Sequence, residues 1–294
     1  MDINQVRKHW NKLGKTDPLW AILTVDDKKG NQWQRDEFFR TGEEEVATMM
    51  EYFRSLAINL PRRRALDFGC GVGRLTQALA NHFSEVCGVD IAPSMIRCAK
   101  RYNRHRNCRY YLNGRAHLKL FADASFDFIY TSFTLQHIEP RYTKAYLGEF
   151  LRLLVSGGIL VFNLPSERLS PAGTQSGGTE VSNGPPQNTT LAEEQRDNRS
   201  VARIKRLIKP LTPKPILDLY FELRYPPPPV MEMHTMRRDE VEGFLELNGG
   251  RMLDTVQIKL GPSWRGYQYC VAKNTSSKAP DPYSHHSIQT NSYL

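Results

Sequence analysis

No uninterrupted apolar run in the 294 residues approaches the ~18 that a membrane-spanning helix needs, so no transmembrane segment is expected. The opening MDINQVRKHW lacks the apolar stretch of a secretory signal. Cysteine is scarce: five residues, an odd number for a disulfide framework, and no Cys-x-x-Cys pair to hold a metal. No metal is therefore assigned, and a reducing cytoplasm is the expected compartment. The Asn-x-Ser/Thr triplets at Asn188, Asn198 and Asn274 then read as chance matches in polar loops. The apolar share, 40%, suffices for a core but is slightly low, which implies a polar or disordered stretch. Acid is also in deficit, with 31 Asp and Glu against 40 Lys and Arg, a net charge of +9. That balance fits nucleic acid, an anionic membrane surface, acidic substrates, or solubility alone.

The length fits one large domain, or one domain with an elaborate insertion. Residues 1–60 form a helical, aromatic-rich cap. Ile3, Val6, Trp10 and Leu13 share one helical face. A second helix is predicted from the capping-box spacing of Thr41 and Glu44, with Val46, Met49, Phe53 and Leu56 on its stripe. A loop carrying Trp20, Trp33, Phe38 and Phe39 is expected between them. From residue 61 to 164 the pattern becomes strand, turn, helix, repeated. Strands are expected at 64–68, 85–90, 109–112, 126–131 and 159–164, and helices at 75–83, 93–101 and 143–154, the last ended by Gly157-Gly158. Such alternation argues for a parallel sheet covered by helices.

Residues 165–235 break the alternation and read as an insertion. Between 170 and 190 the apolar residues are Ala172 and Val181, the composition of a flexible or disordered loop. Residues 199–214 carry six basic side chains and no acidic one. The α/β pattern returns over 236–273 with a helix at 238–247 and a hairpin of two strands, 251–258 and 265–273, one of which must run antiparallel. Residues 274–294 read as a disordered tail.

The chemistry lies in Leu66-Asp67-Phe68-Gly69-Cys70-Gly71-Val72-Gly73-Arg74, which stands between a strand and a helix. Gly69 and Gly71 let backbone approach a ligand closely; without a ligand the same glycines make a tight turn. Arg74 replaces the small third residue of a pyrophosphate-binding fingerprint. Asp67 would repel a phosphate and attract an ammonium or sulfonium group. Asp90, 17 residues after Gly73 and at the tip of the next strand, suits the two hydroxyls of a ribose. Together these features favour a nucleoside carrying positive charge, as S-adenosylmethionine does.

With LDFGCGVGRLT, Asp90-Ile91-Ala92-Pro93-Ser94-Met95, SFDFIYTSFTLQHI and LRLLVSGGILVFNLP in order, the chain resembles a class I S-adenosylmethionine-dependent methyltransferase. The resemblance implies a Rossmann-like α/β fold: a seven-stranded, mostly parallel sheet with an antiparallel last strand, here with a helical N-terminal cap and an inserted lid. It places Asp67, Gly69, Cys70, Gly71 and Gly73 around the methionine end and Asp90 on the ribose. Ile91 and Met95 fall against the adenine. Asn113 takes the position of an aspartate that reaches the adenine amino group, with Gly114 and Ser132 completing the cofactor set. Cys70 reads as a small loop residue in place of a nucleophile.

The acceptor is the open question. His137, after the fourth strand, is a candidate general base, or a residue that only shapes the pocket; His234, in MEMHTMRR, is the second candidate. Thr131-Ser132-Phe133-Thr134 lacks the Asn/Asp-Pro-Pro-aromatic motif of amino-methyltransferases, and no Pro-Cys nucleophile occurs, which weighs against nucleic acid. The 199–214 segment is a solvated face, a contact to the inner membrane surface, or a site for a phosphate-bearing substrate. Asp17 to Ile22 and the Phe-Phe-Arg-Thr-Gly segment resemble a group of bacterial methyltransferases of polysaccharide or secondary-product pathways. The expected function is O-methylation of a small-molecule or glycan-type acceptor. The rivals are an RNA or protein methyltransferase and a catalytically inactive S-adenosylmethionine-binding scaffold.

Overall fold

A computed structural model describes residues 1–169, 229–260 and 263–275. Their seven strands form one sheet: β1 (Arg64–Phe68), β2 (Glu85–Asp90), β3 (Cys108–Leu112), β4 (Phe126–Thr131), β5 (Leu154–Arg168), β6 (Gly250–Lys259) and β7 (Trp264–Lys273), in the order β3-β2-β1-β4-β5-β7-β6. The first five strands pair in parallel, and β7 lies antiparallel between β5 and β6. This is the seven-stranded class I methyltransferase topology expected from the sequence. Strands β1 and β4 have apolar residues on both faces and are buried throughout, apart from the first residue of β1. Helices α4 (Arg74–Leu79), α5 (Pro93–Tyr102), α6 (Pro140–Leu153) and α7 (Arg238–Leu247) complete the layers. All these elements belong to one compact unit, residues 1–174 with 231–294. No described helix is long and apolar enough to cross a membrane.

The N-terminal helices are α1 (Ile3–Thr16), α2 (Pro18–Ile22) and α3 (Arg35–Ser55). Asp2 and Gln5 cap α1 reciprocally, a capping box the sequence reading did not use. Proline at the first turn and the Asp17 side chain start α2.

Several sequence-based boundaries are corrected. Helix α3 begins at Arg35, not near Thr41. Phe38 and Phe39 are helical, and the Thr41 hydroxyl donates back to the Phe38 carbonyl as a mid-helix residue. Gly157-Gly158 does not end a helix: α6 stops at Leu153, where β5 starts, and Gly157 sits inside the strand at φ 73°. β5 continues to Arg168 because β7 pairs with it along its length, so residues 165–168 belong to the sheet and not to the insertion. The expected loop at 170–190, the basic segment at 199–214 and the tail from 276 onward lie outside the described residues.

Candidate active site

The carboxyl ends of β1, β2 and β4 meet at the glycine loop. Gly69 and Gly71 have φ of 76° and 53°, a region that costs a side-chain-bearing residue ~1–2 kcal/mol. Space forbids a side chain too. A Cβ on Gly69 would stand 2.1 Å from Thr134 Oγ1, and one on Gly71 would stand 2.5 Å from Ile22 Cδ1. The loop is therefore pressed from one side by Thr134, three residues beyond β4, and from another by Ile22 at the end of α2.

Asp90 locks the loop from β2. Its Oδ2 accepts the Gly71 amide at 2.9 Å and its Oδ1 accepts the Ala92 amide at 2.7 Å. Burial pushes this carboxyl up to about 6, against the opposing pull of the backbone amides. Each oxygen retains acceptor capacity, so an ionised Asp90 can still take two hydroxyl protons.

Asp67, expected at the methionine end, bonds to the start of α4. It is 1% exposed, wedged between β1 and α4, with Oδ2 accepting the Thr76 hydroxyl at 2.6 Å. Burial pushes its carboxyl up to about 7, with Asp90 and Glu45 adding to the rise. Its charge adds to the rise of the Cys70 thiol in the loop. Met95, expected against the adenine, is 1% exposed and touches Gly14 of α1. The Asn113 amide is engaged by its own loop. Nδ2 donates to the carbonyls of Arg115 and His117, and Oδ1 accepts the Arg115 amide. Cys70 is buried and its thiol pushed well up by burial, which suits a loop residue and not a nucleophile. Ile91 and Gly114 are half-buried, and Tyr110 closes on Gly73.

The cap covers this end of the sheet. Leu13, Ala21 and Phe38 bury against Val72, Ala92 and Met95, with Trp10, Ile22 and Met231 packed at the margin. Asn11 holds Ser94 through both its side chain and its carbonyl. Glu45 of α3 accepts from Arg74 and from the Tyr130 hydroxyl, each at 2.7 Å. Arg74, which sequence reading treated as bulk that disfavours a pyrophosphate, is the buried cation that ties α3 to the loop.

The two candidate histidines are brought together. Residues 231–236 strap across the 3-10 turn Leu135–His137, and the His234 amide donates to the Gln136 carbonyl at 2.7 Å. His137 Nδ1 lies 2.7 Å from the Glu232 carbonyl, which can only accept, so Nδ1 carries the proton and Nε2 holds the lone pair. Gln136 Nε2 approaches that lone pair at 3.2 Å, and Trp10 meets the ring edge-on at 5.2 Å. Burial pushes His137 down to about 4, partly offset by the Glu232 hydrogen bond. It is neutral at pH 7. His234 Nε2 lies 3.2 Å from Glu232 Oε2.

Sequence reading missed Phe133. It has φ of 56°, where a bulky residue is an outlier costing ~1–3 kcal/mol, and it remains 39% exposed. The buried Asn163 holds it there, accepting the Phe133 amide at 2.8 Å while donating to Ser132 Oγ. The missed contributions of Trp10, Ile22, Glu45 and Glu232 come from distant parts of the chain and left no local motif.

Residues 66–162 match the family model described as a methyltransferase domain. Over 133 residues the chain is 34% identical to 24-methylenesterol C-methyltransferase 2 of Oryza sativa subsp. japonica, covering 42% of this chain and 33% of that protein. Over 114 residues it is 32% identical to a ubiquinone biosynthesis O-methyltransferase of Cereibacter sphaeroides, covering 38% of this chain and 45% of that protein. The chain thus spans less than half the length of these curated relatives. Magnesium protoporphyrin IX methyltransferase from Synechocystis, solved with bound SAH, is similar in structure with a TM-score of 0.55 at 16% identity, over 93% of this chain and 100% of that one. A Leishmania major SAM-dependent methyltransferase gives 0.56 at 12% identity, over 92% and 82%. At such identities the likeness is one of fold.

Proposed function

Residues 66–162 being a methyltransferase domain of the class I S-adenosylmethionine-dependent family, we propose that the chain transfers a methyl group from S-adenosylmethionine to an oxygen of a small-molecule acceptor. The observation that carries the reading is the glycine loop with the Asp90 carboxylate at its side. When bound, the cofactor supplies an electrophilic methyl group on a sulfonium. The ionised Asp90 would accept the ribose hydroxyls, the left-handed glycines would leave room for the ligand chain, and Trp10 with Ile22 would exclude water from above. No phosphate-binding cation is required by this arrangement, since Arg74 is committed to Glu45.

On the acceptor side, His137 Nε2 would take the proton once the Gln136 amide, 3.2 Å away, releases the Nε2 lone pair. A base held near pH 4 is too weak to deprotonate an aliphatic alcohol efficiently, so it suits an acceptor with an acidic hydroxyl, such as a phenol or enol. With such an acceptor, much of the rate comes from holding nucleophile and methyl in line. The small-molecule class is supported by the relatives, whose names refer to a methylenesterol and to ubiquinone biosynthesis.

The test is incubation of the protein with methyl-labelled cofactor and fractionated cell extract. Label is expected in a small-molecule fraction sensitive to phenol-blocking reagents. Label in RNA or protein would replace the acceptor class, and binding of cofactor without transfer to any fraction would mark an inactive scaffold.

A further inference from the structure

Between residues 91 and 122 there are eight Lys and Arg and no Asp or Glu, and residues 3–16 carry four basic residues and no acid. These two stretches exceed the whole chain's net charge of +9, so the remainder is net acidic. The fold gathers them at one edge of the sheet. α1 lies along α5 through the Asn11–Ser94 bonds, and Arg7 approaches Gly114 just beyond β3, the edge strand. Arg97, Lys100, Arg101, Arg104, Arg106, Arg109, Arg115 and Lys119 are all exposed. Arg104 pairs with Asp36, and among the described residues no carboxylate pairs with the other seven. The bordering acids Glu149 and Asp123 are already bound to Arg152.

Charge on an edge strand guards against edge-to-edge pairing, which would account for Arg109 but not for one sign across a helix, a second helix and two loops. A second feature separates a lipid partner from a nucleic acid. Leu112 and Leu120 are 46% and 43% exposed, close in sequence to Arg109, Arg115 and Lys119. Phosphodiester backbone has no use for bare aliphatic side chains. A bilayer surface accommodates both, with cations at the headgroup phosphates and leucines at the acyl boundary.

We propose that the sheet edge formed by β3 with α5 and α1 docks on an anionic lipid bilayer, with Leu112 and Leu120 entering the headgroup region. Leu112 directly precedes Asn113, whose amide donates to the Asp90 carbonyl at 3.0 Å. Docking therefore brings the carboxyl ends of β2 and β3, with the candidate cofactor carboxylate, to the lipid surface. An acceptor dissolved in the bilayer would reach the site without crossing bulk water.

The test is co-sedimentation of the full chain with phosphatidylcholine vesicles containing 30% phosphatidylglycerol, and with pure phosphatidylcholine, at ~0.1 M salt. Binding is expected with the first and not the second. Arg101→Ala/Arg106→Ala/Arg109→Ala should weaken partitioning ~100-fold, about fivefold per cation. Leu112→Ser/Leu120→Ser should weaken it and leave the residual binding fully reversible by high salt. Replacing the six basic residues of 199–214 should leave binding in place. Circular dichroism and S-adenosylhomocysteine affinity check that each variant is folded, and the vesicle result does not depend on methyl transfer. Equal binding by wild type and the triple variant, loss only in the 199–214 variant, or displacement from vesicles by equimolar RNA would each overturn the proposal.

Discussion

Replacing Asp67 by asparagine should stabilise the protein at pH 8 and not at pH 4. The carboxyl is pushed from 3.8 up to about 7, chiefly by burial, a rise of roughly three pKa units. At ~1.36 kcal/mol per unit this corresponds to ~4 kcal/mol of disfavoured ionisation. The unfolded chain releases this proton near 3.8, while the folded chain holds it until about 7. Stability is therefore lost as pH rises from about 4 to about 7, and the loss is constant above. Asparagine carries no such penalty and still accepts the Thr76 hydroxyl, but its new amide hydrogens cost ~1–3 kcal/mol if unpartnered. The variant should then be ~1–3 kcal/mol more stable than wild type at pH 8 and equal or less stable at pH 4.5. Urea unfolding of both proteins across this range measures the difference directly. A difference that does not change with pH would refute the argument that a buried, reluctantly ionised carboxylate sits under the loop.

Burial pushes Asp90 up to about 6 and its carboxylate accepts hydroxyls most strongly when ionised, so S-adenosylhomocysteine affinity should fall as pH drops through about 6 and level off above it; affinity flat from pH 5 to 8 would contradict that role. Gly71→Val should cost ~2–3 kcal/mol through backbone strain and the collision with Ile22, and Ile22→Ala should recover part of that in a double-mutant cycle of unfolding energies. His137→Ala should leave cofactor affinity unchanged and, if Nε2 is the base, lower turnover ~10²–10⁴-fold; the wild-type rate should show no histidine titration between pH 5 and 8 because the ring is already neutral there. An inflection near 6.5 that disappears in the variant would show the ring to be less buried than described.

The sheet was legible because its signals are local. Runs apolar on both faces, such as FDFIYT, and a glycine loop flanked by strand and helix, each specify their element within a few residues. The start of α3 escapes the sequence because Thr41 and Glu44 match a capping box by spacing alone; the helix has already begun at Arg35, after an N-cap, Gln34, that makes no side-chain bond. Asp67 and Asp90 look alike in sequence, both acids at strand ends. Their roles separate only through depth: one meets Thr76 under the loop, the other meets the Gly71 amide beside it. Nothing local to Met95 says that Gly14, some eighty residues earlier, packs against it. The His137–Glu232 bond spans a sequence separation of 95 and depends on the strap crossing the turn after β4, a tertiary fact no periodicity encodes.

The central claim is that the loop from Gly69 to Gly73, locked by Asp90, holds S-adenosylmethionine. Calorimetric titration of wild type and Asp90→Ala with S-adenosylhomocysteine, with NAD as the comparison ligand, tests it most directly. The account predicts micromolar affinity for the wild type and no comparable NAD binding. It also predicts a roughly 10- to 150-fold weakening in the variant, the loss of ~1.5–3 kcal/mol carried by hydrogen bonds to a charged group. Tighter binding of NAD, or equal S-adenosylhomocysteine affinity in the two proteins, would contradict it.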